Sequence, residues 1–231
     1  MDVKMLGAVG SLGTVATGGG VYFAIKGNQS TTPITELLKK EKGWKLMTSD
    51  DEKWNEAWEK YRNDHKNTGV NSYRDTDKWG LSNWKTKRSE SSAFEEFKKE
   101  CEKRSKVEVS GTEQPEYKDV KKYCSRPKKI SELLSEDTTK TLLNKSGDTG
   151  EWKAAWNKYQ SHHIESTNGN TVTYKNQDTW KMPNWDSKKS DANTTPEDFK
   201  NECEKKWSSY INPEKLTQDE TFQQVRDWCT K

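Results

Sequence analysis

Residues 54–65 read WNEAWEKYRNDH, and residues 152–163 read WKAAWNKYQSHH. Trp, Trp, Tyr and His stand at relative positions 0, 4, 7 and 11 of both stretches, which is the spacing of one face of an α-helix. Only 29% of the chain is hydrophobic, and large aromatic side chains can build a core where aliphatic ones are scarce. These two stretches therefore predict one aromatic core helix that occurs twice.

The repeat extends well beyond this helix. Further matches follow it in the same order: Trp79 and Trp84 recur as Trp180 and Trp185, and Cys101 and Cys124 recur as Cys203 and Cys229. The offset between the copies is 98 (152 minus 54) at the aromatic stripe and 105 (229 minus 124) at the last cysteine. It changes only between matched blocks, as insertions in surface loops do. We predict two tandem, homologous modules, residues 33–125 and 126–231.

Local signals predict mostly helical modules, four helices in each. Thr32 and Pro33 have the residue types of a helix cap and first position, and Thr195–Pro196 repeats this signal before another helix. The last helix ends at Cys124 in the first copy and at Cys229 in the second. Asn168–Gly169 permits a turn before a short strand that ends at Tyr174. The repeated tryptophan pairs are expected in loops.

The N-terminal segment, residues 1–32, has a different composition from the modules. Residues 5–25 carry no charge and lie between Lys4 and Lys26, which matches the length of a membrane-spanning helix. We expect a membrane anchor there, with a cleaved signal peptide or a buried structural segment as alternatives. The predicted fold class is therefore mainly α, with an N-terminal membrane-anchor helix followed by the two modules.

The four cysteines indicate the compartment. The duplication favours pairing Cys101 with Cys124 and Cys203 with Cys229, each pair inside one module. Such disulfides are typical of small domains outside the cytoplasm, so we expect a single-pass protein of the cell membrane with extracellular modules. The alternative is four reduced, buried cysteines. The cysteine and histidine spacing does not match a zinc site, and no metal is expected.

Charge and motifs exclude several classes of function. Forty Lys and Arg face 37 Asp and Glu, interleaved along every predicted helix, so no nucleic-acid partner is expected. No nucleotide, metalloprotease or serine-hydrolase motif occurs, and we predict no enzyme and no cofactor. A secreted hydrolase with carboxylates such as Asp77 and Glu100 is a minor alternative. His65 and His163 are expected to serve as helix-end or core partners.

The loop tryptophans are the candidates for ligand contact, and two interpretations of them stay open. Trp79, Trp84, Trp180 and Trp185 cover the core in the first interpretation, because the modules are poor in aliphatic residues. In the second they stack on sugars, and the chain is a carbohydrate-binding module.

A family resemblance adds to this reading. The uncharged Gly-rich segment Leu6–Gly10, the body rich in Lys, Glu and Trp, and the final Trp228–Cys229 resemble the paralogous, uncharacterised surface protein families of haemotropic mycoplasmas. The resemblance implies a surface-displayed, antigenically variable protein. We therefore expect a non-enzymatic interaction or antigenic protein, anchored through residues 5–25. Its partner is a host-cell surface protein, a glycan or a neighbouring copy.

Overall fold

The computed structural model describes residues 30–69, 72–136 and 139–231. The helices and strands of these residues are, in chain order, β1 (Thr32–Pro33), α1 (Ile34–Lys40), β2 (Trp44–Leu46), α2 (Trp54–Asp64), α3 (Trp84–Lys87), α4 (Glu95–Ser105), β3 (Glu108–Val109), α5 (Pro115–Cys124), β4 (Ser125–Pro127), α6 (Ile130–Leu134), α7 (Thr149–His162), β5 (Ile164–Asn168), β6 (Thr171–Tyr174), α8 (Trp185–Lys188), α9 (Glu197–Trp207), a 3₁₀ helix (Leu216–Gln218) and α10 (Glu220–Trp228).

The predicted fold class is wrong. Helices account for 45% and strands for 13%, so short strands contribute to both copies and to their junction. Within the described residues, no helix is long and apolar enough to cross a membrane. The longest of these helices, α7, has 14 residues, whereas a span takes about 20. The predicted anchor at residues 5–25 itself lies outside the described residues.

The aromatic stripe forms the predicted core helix in both copies. Helix α2 buries Trp54, Trp58 and Tyr61, and α7 buries their counterparts. Helix α2 begins at Trp54 itself, but α7 begins before its first Trp, at Thr149. The extra turn starts at Asp148, whose carboxylate accepts a hydrogen bond from the N–H of Gly150 at 2.6 Å and so caps the helix.

The expected cap at Thr32 is replaced by strand pairing. Thr32 and Pro33 form β1, which pairs antiparallel with β3, and the N–H of Ile34 donates to the carbonyl of Val107 at 3.0 Å. A long-range partner thus satisfies an N–H that a local cap would otherwise serve. The loop prediction also needs correction, because Trp84 and Trp185 each begin a four-residue helix, α3 and α8.

Each copy encloses its own aromatic cluster. One cluster of buried residues draws its members from positions 34–124 and the other from positions 130–229. In the first, the rings of Trp58, Tyr61 and Phe97 pack within 6 Å of one another. The second repeats this packing around Trp156 and Tyr159. The two copies therefore close in the same way.

The predicted disulfides are present. Cys101 joins α4 to Cys124 of α5, with 5.4 Å between the Cα atoms, and Cys203 joins α9 to Cys229, with 5.5 Å. No free cysteine remains in the described part of the chain. Each bond therefore ties the last helix of a copy to the helix before it.

The two copies meet at a strand and a buried arginine. Strand β4 crosses the predicted boundary at residue 125 and pairs antiparallel with β2 of the first copy. The Arg126 guanidinium then bridges the copies: it donates to Asp51 at 2.6 Å and to both oxygens of Glu132, at 2.6 and 2.9 Å. A ring of the second copy, Tyr210, lies over Arg126, with its centroid 5.5 Å away.

Candidate functional site

A buried polar cluster lies beneath the first tryptophan loop. Tyr61 donates its phenolic hydrogen to Asp77, and the same hydroxyl oxygen accepts the N–H of Trp79 at 3.0 Å. The two carboxylate oxygens of Asp77 also accept the N–H groups of Trp79 and Leu81, at 2.9 and 3.0 Å. Asp77 therefore holds the loop against α2.

His65 completes this cluster in one tautomer. Its Nε2 lies 2.9 Å from the backbone N–H of Lys78, and because that group can only donate, Nε2 must be the acceptor. The proton is then on Nδ1, which donates to the carbonyl of Tyr61 at 2.7 Å. Both ring nitrogens are engaged by the backbone.

The second copy repeats these bonds and adds a contact between His163 Nε2 and the Thr179 hydroxyl, at 2.9 Å. Tyr159 donates to Asp178, whose oxygens accept the N–H groups of Trp180 and Met182 at 2.8 and 2.9 Å. The His163 ring donates to the carbonyl of Tyr159 at 2.7 Å and accepts the N–H of Thr179 at 2.8 Å. We expected His65 and His163 to serve as helix-end or core partners. In the structure both rings are buried and bond to the backbone at the end of their aromatic helix.

Burial changes the pKa values of groups in both clusters. Burial, and then the hydrogen bonds to Asp77 and Asp178, raise the pKa of the Tyr61 and Tyr159 phenols well above the ordinary value. Burial lowers the pKa of His163. The phenols of both clusters and the imidazole of His163 are therefore held in their neutral forms, with hydrogen bonds to partners inside the clusters.

A cavity of about 350 Å³ opens beside His65. Its wall includes Asp64, which accepts hydrogen bonds from Tyr123 and Lys122, and Lys78, which pairs with Asp119 at 2.5 Å. Asp64 and Lys78 are therefore each already paired with a neighbouring side chain. In the described residues, no group of three or more His, Cys, Asp or Glu has the arrangement of a metal site.

The four candidate tryptophans are buried. Their exposed fractions are 7% for Trp79, 2% for Trp84, 9% for Trp180 and 3% for Trp185. Trp79 stacks on Phe97, with 5.6 Å between ring centroids, and Trp180 repeats the stack in its own copy. Sugar stacking needs an open ring face, and in both copies the core takes that face.

The carboxylates named for hydrolysis serve different partners. Asp77 belongs to the buried cluster, while Glu100 pairs with Arg104 one turn along α4, at 3.0 Å. Asp77 and Glu100 are thus each held by a different structural partner. They are not arranged around a common site as the acid and the nucleophile of glycoside hydrolysis are.

The copies also differ in the segment between the aromatic helix and the tryptophan loop. Residues 164–174 form an antiparallel hairpin in the second copy, with Gly169 in the turn at φ +59°. The counterpart, residues 66–73, is three residues shorter (11 against 8); among its described residues Lys66 bridges Tyr73, and the N–H of Asn67 donates to the carbonyl of Ser72 at 2.9 Å. Just after this segment both copies make the same backbone bond. The backbone N–H of Arg74 donates to the carbonyl of His65 at 2.8 Å, and that of Lys175 donates to the carbonyl of His163 at 2.9 Å. Tyr174 packs against the core, but the first copy makes these bonds without the three extra residues of the hairpin.

The surface of the hairpin differs from that of the other described residues. Residues 166–174 are nine consecutive uncharged residues in a chain that is 33% charged. Among the described residues, Val172 is the one large hydrophobic residue that is exposed, with an exposed fraction of 40%. The Asn–Gly signal predicts the turn, but no pattern in the sequence marks Val172 as a surface residue.

Comparison of the chain with protein-family models, curated proteins and solved structures finds no match in any of the three.

Proposed function

We propose that this chain is a non-catalytic interaction protein that is displayed outside the cytoplasm and antigenically exposed, like the surface families it resembles. One observation carries the proposal. The buried polar groups of both clusters are bonded to one another, whereas the surface above them differs between the copies. Two copies that share an interior but differ at the surface are more typical of a binding protein than of an enzyme.

The disulfides support the proposed compartment. Both copies rely on a bond between a helix and the C-terminal end of its module, and bonds of this kind persist in oxidising surroundings. The interior is also poor in aliphatic side chains, so the covalent link matters more than it does in a larger core.

The test is surface labelling of intact cells that produce the protein natively. An amine-reactive biotin reagent that does not cross membranes should label the chain, because most of its lysines are exposed. A cytoplasmic protein of the same cells serves as the control and should stay unlabelled. A chain that is labelled only after lysis, while a known surface protein reacts on intact cells, overturns the proposal.

Tryptophan fluorescence tests the carbohydrate alternative. With all four candidate indoles at 9% exposure or less, a panel of glycans should leave the emission spectrum unchanged. A saturable shift of the emission spectrum with one glycan overturns this expectation and supports carbohydrate binding as the function.

A further inference from the structure

The β5–β6 hairpin has one protected edge and one open edge. Strand β5 carries Glu165 and a register irregularity between Ile164 and Ser166, and a charge and a bulge both discourage further strand pairing. Strand β6 reads Thr-Val-Thr-Tyr, without charge, proline or irregularity. Open edges of this kind accept another strand.

The register shows which backbone groups of β6 face outward. Asn168 and Thr171 close the two-residue turn as a hydrogen-bonded pair, so the next pair, Thr167 and Val172, is not hydrogen bonded. The N–H and C=O of Val172 therefore point away from β5. The same holds for Tyr174, because Lys175, the residue after it, donates inward to His163. The described residues provide these outward groups with no backbone partner.

We propose that this edge of β6 pairs with the same edge of a second copy of the chain, antiparallel about a twofold axis at Thr173. Two hairpins then form one four-stranded sheet. The proposal rests on the proposed function and names one partner for it. In this register Val172 of each copy exchanges both backbone hydrogen bonds with Tyr174 of the other, so all four outward groups are used.

Charge supports a second copy as the occupant. A twofold contact places identical residues close together, and like charges across a strand pair are destabilising. Residues 166–174 bring no charge into this contact, and Lys175 of each copy lies opposite Thr171 of the other. The whole chain carries a net charge of only +3, which opposes approach weakly.

The contact is short, and this sets its strength. A four-residue edge buries far less than the roughly 1,200–2,000 Å² of a stable interface, so the pairing should be transient in dilute solution. At high local concentration, as among copies displayed on one surface, the same pairing becomes populated.

Thiol cross-linking of the full chain tests the geometry. In the proposed register the two Thr173 side chains are directly opposed in a non-hydrogen-bonded pair, with Cβ atoms about 4.5–5.5 Å apart, close enough for a disulfide. Thr167→Cys is the matched control: it changes the same residue type on the same hairpin. Its two copies lie three strand spacings apart, about 14 Å, which no disulfide spans. The native cysteines are paired, so each variant carries one free thiol.

Thr173→Cys should form the covalent dimer roughly tenfold faster than Thr167→Cys under mild oxidation, because pairing raises the effective thiol concentration. Adding Val172→Lys to Thr173→Cys should return the rate to that of the control. Equal rates for the two single variants overturn the proposal, and so does a fast rate that Val172→Lys leaves unchanged. Circular dichroism of each variant checks the fold. A chain that labels on intact cells but fails this test keeps the proposed function and loses only the pairing.

Discussion

Replacing Arg126 with Ala should destabilise the chain by about 3 kcal/mol, through the junction between the two copies. The Arg126 side chain is 8% exposed and that of Asp51 is 6% exposed, so the variant leaves a buried carboxylate without its cation. Removing one partner of a buried ion pair costs about 3–5 kcal/mol. The lower end applies here, because Glu132 is 22% exposed and keeps Lys45 as a partner at 2.7 Å. Urea unfolding of the full chain, followed by circular dichroism, measures the loss.

Two comparisons isolate the buried charge as the cause. Arg126→Lys keeps a cation but not the two-pronged contact, so its loss should be about half as large. Asp51→Asn combined with Arg126→Ala should cost about 1–2 kcal/mol less than the sum of the single variants, because the stranded charge is gone. A loss below about 1 kcal/mol for Arg126→Ala, or simple additivity with Asp51→Asn, refutes this account of the junction.

The same junction should respond to acid. Burial alone raises the pKa of Glu132, but hydrogen bonds from Arg126 and Lys45 outweigh it and lower the pKa to about 2. A carboxyl group with a depressed folded-state pKa contributes stability that is complete above its ordinary value of 4.5 and is lost as the pH falls towards 2. The part of the Arg126→Ala penalty that depends on Glu132 should therefore shrink across this window.

Three further outcomes test the interior of the second copy. Asp178→Ala removes the acceptor of three hydrogen bonds and should cost about 3 kcal/mol in urea unfolding, whereas Asp186→Ala, on a side chain that is 80% exposed, should stay within about 0.5 kcal/mol. Burial lowers the folded-state pKa of His163 below 6.5, so its contribution to stability is complete above pH 6.5 and falls as the pH drops towards the folded-state value. His163→Gln should therefore flatten the dependence of the unfolding free energy on pH below 6.5. An unchanged pH dependence contradicts this prediction. Replacing Cys203 and Cys229 together by Ala should cost about 3 kcal/mol for a loop of 26 residues, and equal melting temperatures of the variant and the native chain contradict this.

Local and repeated patterns made part of the fold predictable. The stripe from Trp54 to His65 has helical spacing, and its recurrence fixed both aromatic helices without any long-range information. The repeat also selected the disulfides, because Cys101 and Cys203 have the same neighbours. The histidine positions followed from the same stripe, although their bonds to the tryptophan loops did not.

Features that depend on distant partners were not predictable from one sequence. Thr32 and Pro33 have the residue types of a helix start, yet strand partners 77 and 75 residues further along the chain (109 minus 32 and 108 minus 33) draw them into β1. Arg126 looks like one more cation among 40, and only the folded chain brings Asp51 and Glu132 to it. Pairing over such separations leaves no periodic signal in the sequence.

The structure divides the differences between the copies into two kinds. Tyr210 stands where the first copy has Glu108, and the junction explains this difference, because the Tyr210 hydroxyl donates to Glu52 and its ring lies against Arg126. The hairpin has no such explanation: the first copy closes the same cluster with three fewer residues. The three extra residues serve neither the shared cluster nor the junction, and this uncharged segment around Val172 is therefore where we propose a partner outside the chain.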